Sequence, residues 1–393
     1  MLGYGSQSID DSDIAAVTAI LRGQPLTCGP AIEAFEGAIC AISGAEHAIA
    51  VSNGTSALRL MYQAAGIGPG VRVGVPAITF VATATQALLL GAEVVLLDVD
   101  PDTLLLTPGI LRACRERLDI IVPVHAAGRL CDLAGLQAIA AERGAFLLED
   151  AAHAFGSTWN DGRRCGDGAW SRAAIFSFHP VKNITTGEGG AIVTNDAAFA
   201  ARCRQLRHHG IVRGDFLGDL AAIDGGAPWY HEFHQPATNE RMSDILAALG
   251  TSQCRRLPAF KLAREAVLAR YGEALSDLTW LRLPPFALGQ QPFWHLCAVQ
   301  IDWARLGIDR RACFASASRA GVSLQVHYIP LHHQPALAGC ARGSDLVGAD
   351  AAYAGLVSLP CHAALEPSDQ DRVIAWLRSL AQSVRSTLRQ GGT

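Results

Sequence analysis

The sequence contains no CxxC pair and no zinc-ligand spacing, although it has 11 cysteines and 13 histidines. The cysteines are scattered singly from Cys28 to Cys361. They read as reduced, mostly buried thiols, which argues against a disulfide-stapled scaffold and for a cytoplasmic location. The pairs His208-His209 and His332-His333 have no carboxylate at ligand spacing, and neighbours on a helix or strand point apart, so no metal site is expected. Basic runs are also missing: 32 Lys and Arg against 36 Asp and Glu leave a formal charge of −4, and nucleic acid is not an expected partner. The opening MLGYGSQSIDDSD lacks the basic start and apolar core of a signal peptide. The uncharged span 73–92 approaches membrane length, but Pro76, Thr79, Thr83, Thr85 and Gln86 interrupt it, so it reads as a strand followed by a helix. No nucleophile elbow supports a hydrolase built on Ser177 or a cysteine. Repeats and low-complexity segments are absent as well.

What remains is a globular chain of 393 residues, half of them hydrophobic, with enough length for two domains. Apolar strand patterns AIAVS, VRVGV, EVVLLDV, IIVPV and FLLED, then two runs around Lys182, alternate with helical segments such as 56–65 and 133–143. Near-continuous apolar strands alternating with helices predict a mostly parallel α/β sheet covered on both faces, with ligands at the strands' carboxyl ends. The stretch 210–236 reads as a long loop and 239–271 as helix. After about residue 278 the pattern changes to strand 296–301, helix 310–320, strand 322–327 and a last helix 367–388, a smaller α+β unit. The expected division is a large domain, residues 1–255, and a small one, residues 256–393.

The chemistry is expected in AAIFSFHPVKNITTGEGGAIVTN, where Lys182 sits between two apolar runs and beside a glycine turn, Gly187 to Gly190. A lysine at a strand end, where glycines let backbone approach a ligand, is placed to form a Schiff base with a carbonyl cofactor. Alone it is also what any exposed loop lysine looks like. Four clusters add to it. Ser52-Asn53-Gly54-Thr55-Ser56 ends a strand and starts a helix, which suits a phosphate, or plain helix capping. Asp150 closes an apolar strand just before His153, where a carboxylate needs a partner such as a pyridinium nitrogen, or serves as a helix cap. Ser177 precedes Lys182 by five residues and reaches the same phosphate, or faces solvent. Asn239-Glu240-Arg241-Met242-Ser243-Asp244 opens a helix.

Together with ITFVAT, PVHAAG, EDAAHAFGS and SFHPVKNITTGEGGAIVTND, these clusters resemble, in order and over nearly the whole chain, the DegT/StrS family of pyridoxal-phosphate (PLP) sugar aminotransferases. The resemblance implies fold type I of the PLP-dependent transferases, the aspartate-aminotransferase-like architecture. It implies that Lys182 carries the cofactor and moves protons, and that Asp150 holds the proton on the pyridine nitrogen. His153 would bond the phenolic oxygen, Phe80 would stack on the ring, and Gly54, Thr55, Ser56 and Ser177 would hold the phosphate. Asn239 matches an asparagine that acts from the neighbouring subunit in this family, which implies a homodimer with shared sites. Thr27, His327, Tyr328 and Arg241 fall where substrate is expected. Lysine at 182, where a few relatives that are dehydratases carry histidine, implies transamination. The opening YGSQSIDDSDI, Pro228-Trp229-Tyr230 and Gln325 to Pro330 are most similar to the branch that moves an amino group from L-glutamate to carbon 4 of a UDP-linked 4-keto-6-deoxy-N-acetylhexosamine, on the route to pseudaminic acid. Alternatives are another keto sugar nucleotide, dTDP- or GDP-linked and aminated at carbon 3 or 4, or a non-catalytic binder of PLP or a nucleotide sugar. Two departures stand out: Ala237-Thr238 replaces a Gly-aromatic pair before the asparagine, and Glu240 replaces a frequent aromatic.

Overall fold

The computed structural model describes residues 1–285 and 289–390. Its centre is an eight-stranded sheet. Across the sheet the strands are His47–Val51, Gly190–Thr194, Ala173–Ser177, Phe146–Asp150, Ile120–Ile121, Arg72–Pro76, Glu93–Leu97 and Ala341–Arg342. From Ala173–Ser177 to Ala341–Arg342 every pairing is parallel, and only Gly190–Thr194 runs against its two neighbours. The strands are apolar because both faces are covered: Ala173–Ile175, Val73 and Val75, and Val94–Leu97 are all buried. The uncharged span resolves into Arg72–Pro76 and the helix Ala82–Leu89. Among the described residues no helix is long and apolar enough to cross a membrane.

The second unit is an antiparallel sheet of Leu281–Arg282, Cys297–Ile301 and Leu356–Leu359, with its own apolar cluster around Tyr271, Trp294, Val299 and Trp376. Helix Asp244–Leu275 joins the two units, and the division expected after residue 255 lies inside it. Ala247, Cys254 and Phe260 pack in the cluster beside the main sheet, whereas Val267, Leu268 and Tyr271 pack in the second, so the helix changes core between residues 260 and 267. The chain also crosses back twice. Leu2 exchanges backbone hydrogen bonds of 2.8 Å with Gly321 and Ser323, and Ala341–Arg342 extends the main sheet.

Four expectations change. The pattern 322–327 does not form a strand: it makes isolated bridges, Leu2 to Val322 and Gln325 to Ser358, because its residues turn from the small sheet into a cavity. The pattern 120–124 keeps only Ile120–Ile121 as ladder, since Pro123 has no N–H to donate and Val124 makes only an isolated bridge to Asp150. The loop 210–236 holds a short antiparallel pair, Ile211–Val212 with Glu232–Phe233, and a helical turn Ala221–Asp224. The helix expected from 239 starts at Asp244, where the Ser243 hydroxyl accepts from the Leu246 amide. Most cysteines are buried and free, Cys28 being exposed.

Candidate active site

The carboxyl ends of the parallel strands open into a cavity of ≈ 980 Å³, lined by Asp150, Ser177, Lys182, Gly54, Phe80 and Tyr328 among others. That volume is at the upper end for small-molecule sites, about 300–1,000 Å³, and has room for a cofactor and a second ligand.

Asp150 is the last residue of its strand and is buried. Its Oδ2 accepts from the Thr83 hydroxyl at 2.7 Å and its Oδ1 from the Ala152 amide at 3.1 Å, which fixes the carboxylate plane and leaves lone pairs facing the cavity. Thr83 is held in turn: its hydroxyl lies 3.0 Å from that of Thr79, and its carbonyl accepts from Tyr62 Oη at 2.9 Å. Behind Asp150, the next side chain along the strand is also fixed, because Glu149 bonds His125 Nε2 at 2.8 Å and accepts from the Ser171 hydroxyl.

Lys182 follows the Ala173–Ser177 strand on a turn in which its amide donates to His179 O at 2.9 Å. It is one of only two lysines in the chain, the other being Lys261. Burial lowers its pKa to about 8, against the opposing pull of Asp150, so its amine is partly neutral near physiological pH. Three histidines crowd the same space. His153 and His295 lie 4.4 Å apart, ring to ring, and burial together with the Lys182 charge holds both far below the usual imidazole range. Burial and Lys182 pull His327 down to about 3. These rings are therefore neutral hydrogen-bonding groups in the apo-protein. His153 Nδ1 accepts from the Ala127 amide at 3.3 Å, and its Nε2 is 3.2 Å from Tyr328 Oη. His327 Nδ1 is 2.8 Å from the Ser358 hydroxyl, and Phe80 lies 5.9 Å from the Tyr328 ring, half exposed at the cavity wall.

At the opposite wall, helix Gly54–Ala64 points its N-terminus into the cavity, as an anion site requires. The approach is close: a Cβ on Gly54 would sit 2.8 Å from Ser177 Cβ, and one on Gly190 would sit 2.6 Å from the Asn53 carbonyl. Only glycine fits at either position. The Asn53 side chain takes the Ser56 amide at 2.8 Å, and the Ser56 hydroxyl donates to Glu240 at 2.6 Å. Ser56 thus has partners within the protein for both its amide and its hydroxyl, and it lines the cavity with Gly54, Thr55 and Ser177. Glu240 lines this end of the cavity, also accepting from Thr238 Oγ1 at 2.6 Å and lying 3.7 Å from Arg59.

Three expected residues are not in this cavity. Asn239 is exposed and bridges His208, Arg241 bonds His208, and Thr27 is exposed on the strap before Pro30. They share one edge, because Asp244 N donates to Leu26 O at 3.0 Å and the Asp244 carboxylate accepts from Gly29 and Ala31 at 2.9 and 3.1 Å. Thus the Thr27 strap is tied to the start of the helix that the Asn239–Arg241 segment leads into.

Residues 7–378 match the model of the DegT/DnrJ/EryC1/StrS aminotransferase family. The chain belongs to that family. Its structure is similar to Helicobacter pylori PseC, an aminotransferase involved in the biosynthesis of pseudoaminic acid, with 27% identity, a TM-score of 0.88, and 97% of this chain and 99% of that one covered. It is similar to DesV of S. venezuelae, solved in complex with a ketimine intermediate, with 31% identity, a TM-score of 0.82 and 94% of each chain covered. A Streptococcus pneumoniae relative solved in a PLP form is 25% identical with a TM-score of 0.85, covering 97% and 98% of the two chains. The aspartate-aminotransferase-like fold follows, and so does the activity: the chain is a PLP-dependent sugar aminotransferase.

The site of this family member fits PLP by its own geometry. A glycine-only cradle at a helix N-terminus faces a buried carboxylate with open lone pairs, and the low-pKa lysine lines the same cavity. Sequence reasoning did not assign site roles to Thr79, Thr83, Tyr4 and His295. The i, i+4 threonines inside ITFVAT were a usable signal for the pair that meets Asp150. Tyr4 and His295 had none, since Tyr4 packs on His327 at 4.9 Å and His295 stands against His153 only through chain crossings.

Proposed function

We propose that this enzyme transfers the amino group of L-glutamate to carbon 4 of a UDP-linked 4-keto-6-deoxy-N-acetylhexosamine, in a pathway of the pseudaminic acid type. The likeness to the H. pylori enzyme over 97% of the chain supports this substrate class. The observation that carries the chemistry is Lys182, with an amine pKa brought to about 8, on the wall that also holds Asp150 and three neutral histidines. PLP supplies an electron-accepting ring that acidifies the substrate carbon beside the transferred nitrogen. Asp150, oriented by Thr83 and Ala152, would hold the proton on the ring nitrogen. Gly54 and Thr55 amides and the Ser177 hydroxyl would hold the phosphate. His153 would bond the phenolic oxygen and Phe80 would cover the ring. Lys182 Nζ would bind the cofactor and, as a partly neutral amine, serve as the base that holds the moving proton. His327 and Tyr328 wall the substrate side.

The same reading assigns Asn239, Arg241 and Thr27 to the partner's cavity in a homodimer. They gather on one edge of the subunit, and the neighbouring excursion exposes Leu217, Leu220, Ile223, Trp229 and Phe233, an apolar patch suited to a second copy.

Incubation with glutamate and a panel of UDP-, dTDP- and GDP-linked keto sugars, with mass detection of amino sugars, tests the substrate. Turnover is expected with the UDP-4-keto-N-acetyl substrate; turnover confined to a dTDP or GDP sugar overturns the proposed donor nucleotide. Mixing Lys182→Ala and Asn239→Ala proteins, each impaired alone, tests the sharing. In a random two-fold dimer half the molecules are mixed and each has one intact site, so about a quarter of full activity should return. Subunit exchange seen by mass without recovery would place Asn239 in its own chain's site.

A further inference from the structure

The turn Leu331–His333 leaves the cavity wall immediately after Tyr328 and Ile329, and it presents both of its histidines to one point. His332 Nε2 is 2.9 Å and His333 Nε2 2.8 Å from the same oxygen, Oδ1 of Asp350, on helix Val347–Gly355. The sequence spacing hides this arrangement. The carboxylate comes from a separate helix, and the tight 3₁₀ turn brings adjacent imidazoles to 4.1 Å, ring centre to ring centre, where a regular strand would point them apart.

We propose that His332, His333 and Asp350 form a binding site for a divalent transition ion of the zinc type, outside the catalytic cavity. The ligand atoms of all three lie within 4.8 Å of one another. A tetrahedral ion with bonds of about 2.0–2.2 Å needs ligand atoms roughly 3.3 Å apart, so the two histidine-to-carboxylate separations of 2.9 and 2.8 Å open by only about half an ångström. The immobile ligand is His332, whose side chain is 3% exposed; His333 and Asp350, both 50% exposed, are free to adjust. Two imidazole nitrogens and a carboxylate suit Zn²⁺, Co²⁺ or Ni²⁺, whereas Mg²⁺ and Ca²⁺ ask for oxygen ligands. The fourth position faces solvent and takes water.

Both sides of the site are anchored. The Leu331 amide donates to Ala77 O at 2.7 Å, and the amides of Gly348 and Ala349 donate to the Asp98 carboxylate at 2.9 and 2.7 Å. An ion here joins the cavity-wall segment 325–334 to that helix. Its role is to stiffen the wall, and the catalytic groups do not touch it.

The test uses full-length holoenzyme, dialysed against a chelator and titrated with Zn²⁺ in competition with a chromophoric chelator, then separately with Co²⁺. The expected result is one Zn²⁺ per chain, a higher thermal midpoint with Zn²⁺, and at least tenfold weaker binding in His333→Gln and in Asp350→Asn. Both variants should keep the metal-free melting midpoint and glutamate turnover of the parent. The Co²⁺ spectrum should show visible bands without a thiolate charge-transfer band. Unchanged affinity in both variants overturns the site. So does a thiolate band, which would put the ion on cysteine, Cys28 being the exposed one.

Discussion

Replacing Arg264 should loosen Lys182 from a distance. Arg264 is 1% exposed, lies on helix Asp244–Leu275, and has only backbone carbonyls as hydrogen-bond acceptors. Its guanidinium donates to Cys361 O at 2.7 Å, His295 O at 3.0 Å and Lys182 O at 3.2 Å, with longer contacts to Trp294 O at 3.3 Å and Val181 O at 3.4 Å. One side chain thereby ties the lysine turn, the His295 segment and the small unit together. The three shorter bonds have a charged donor and are worth about 1.5–3 kcal/mol each, or roughly 5–9 kcal/mol in total. Against this, the variant is relieved of the cost of burying the guanidinium, several kcal/mol. For Arg264→Met, which keeps apolar volume, the expected net loss is ~2–4 kcal/mol. It should appear as a lower denaturation midpoint. Since misplacing a reacting group by about 1 Å costs on the order of 100-fold, the glutamate half-reaction should slow by one to two orders of magnitude in single-turnover measurements. Arg264→Lys, reaching fewer carbonyls from a single ammonium, should fall between the two. A midpoint within about 0.5 kcal/mol of the parent, together with an unchanged half-reaction rate, would refute the argument that these carbonyls hold Lys182 in place.

Other outcomes follow from the same geometry. Thr83→Val keeps the shape but removes the hydroxyl on Asp150, and a loss of about 1–2 kcal/mol, roughly tenfold in kcat/KM for glutamate, is expected by steady-state kinetics. In the apo-protein, reductive methylation of Lys182 followed by mass spectrometry should rise with pH through about 8 and then level off, because only the neutral amine reacts. The lowered pKa also sets the sign for stability. The native state carries a penalty for the charged lysine below about pH 8, and that penalty disappears as pH rises toward the ordinary 10.5. Apo Lys182→Met should therefore be more stable than the parent at pH 7, with the gap closing by pH 10 in chemical denaturation. Glu240 places a carboxylate beside the proposed phosphate cradle, so Glu240→Gln should tighten PLP binding about fivefold, roughly 1 kcal/mol, by fluorescence titration; weaker binding would mean that the Ser56 contact matters more than the charge.

That Lys182, Asp150, Ser177 and Gly54 would line one cavity was legible in the sequence, because each sits at or just beyond the end of an apolar strand or at the start of the next helix. Such positions converge in any parallel sheet. His153 and Phe80 came from the family resemblance, and the cavity contains both. Ser56 shows the limit of motif reading: nothing in SNGTSAL indicates that Glu240, 184 residues later, accepts from its hydroxyl. The same limit applies to the segment 322–327, whose apolar character suited a strand, yet Val322 and Leu324 pack in the second core and Gln325, Val326 and His327 line the cavity.

By itself the sequence determined the α/β architecture, through local periodicity where backbone geometry leaves few choices, and the family, through an ordered set of motifs in which Lys182 and Asp150 are the proposed lysine and carboxylate. Only the tertiary structure decided which groups surround them: Tyr4 against His327, His295 against His153, Arg264 under Lys182, and Asp350 under two histidines. The partners in each of these contacts come from separate elements, 17 residues apart at the least and more than 80 apart for the first three pairs. Contacts of this kind are set by packing of whole elements, and no spacing along the chain encodes them.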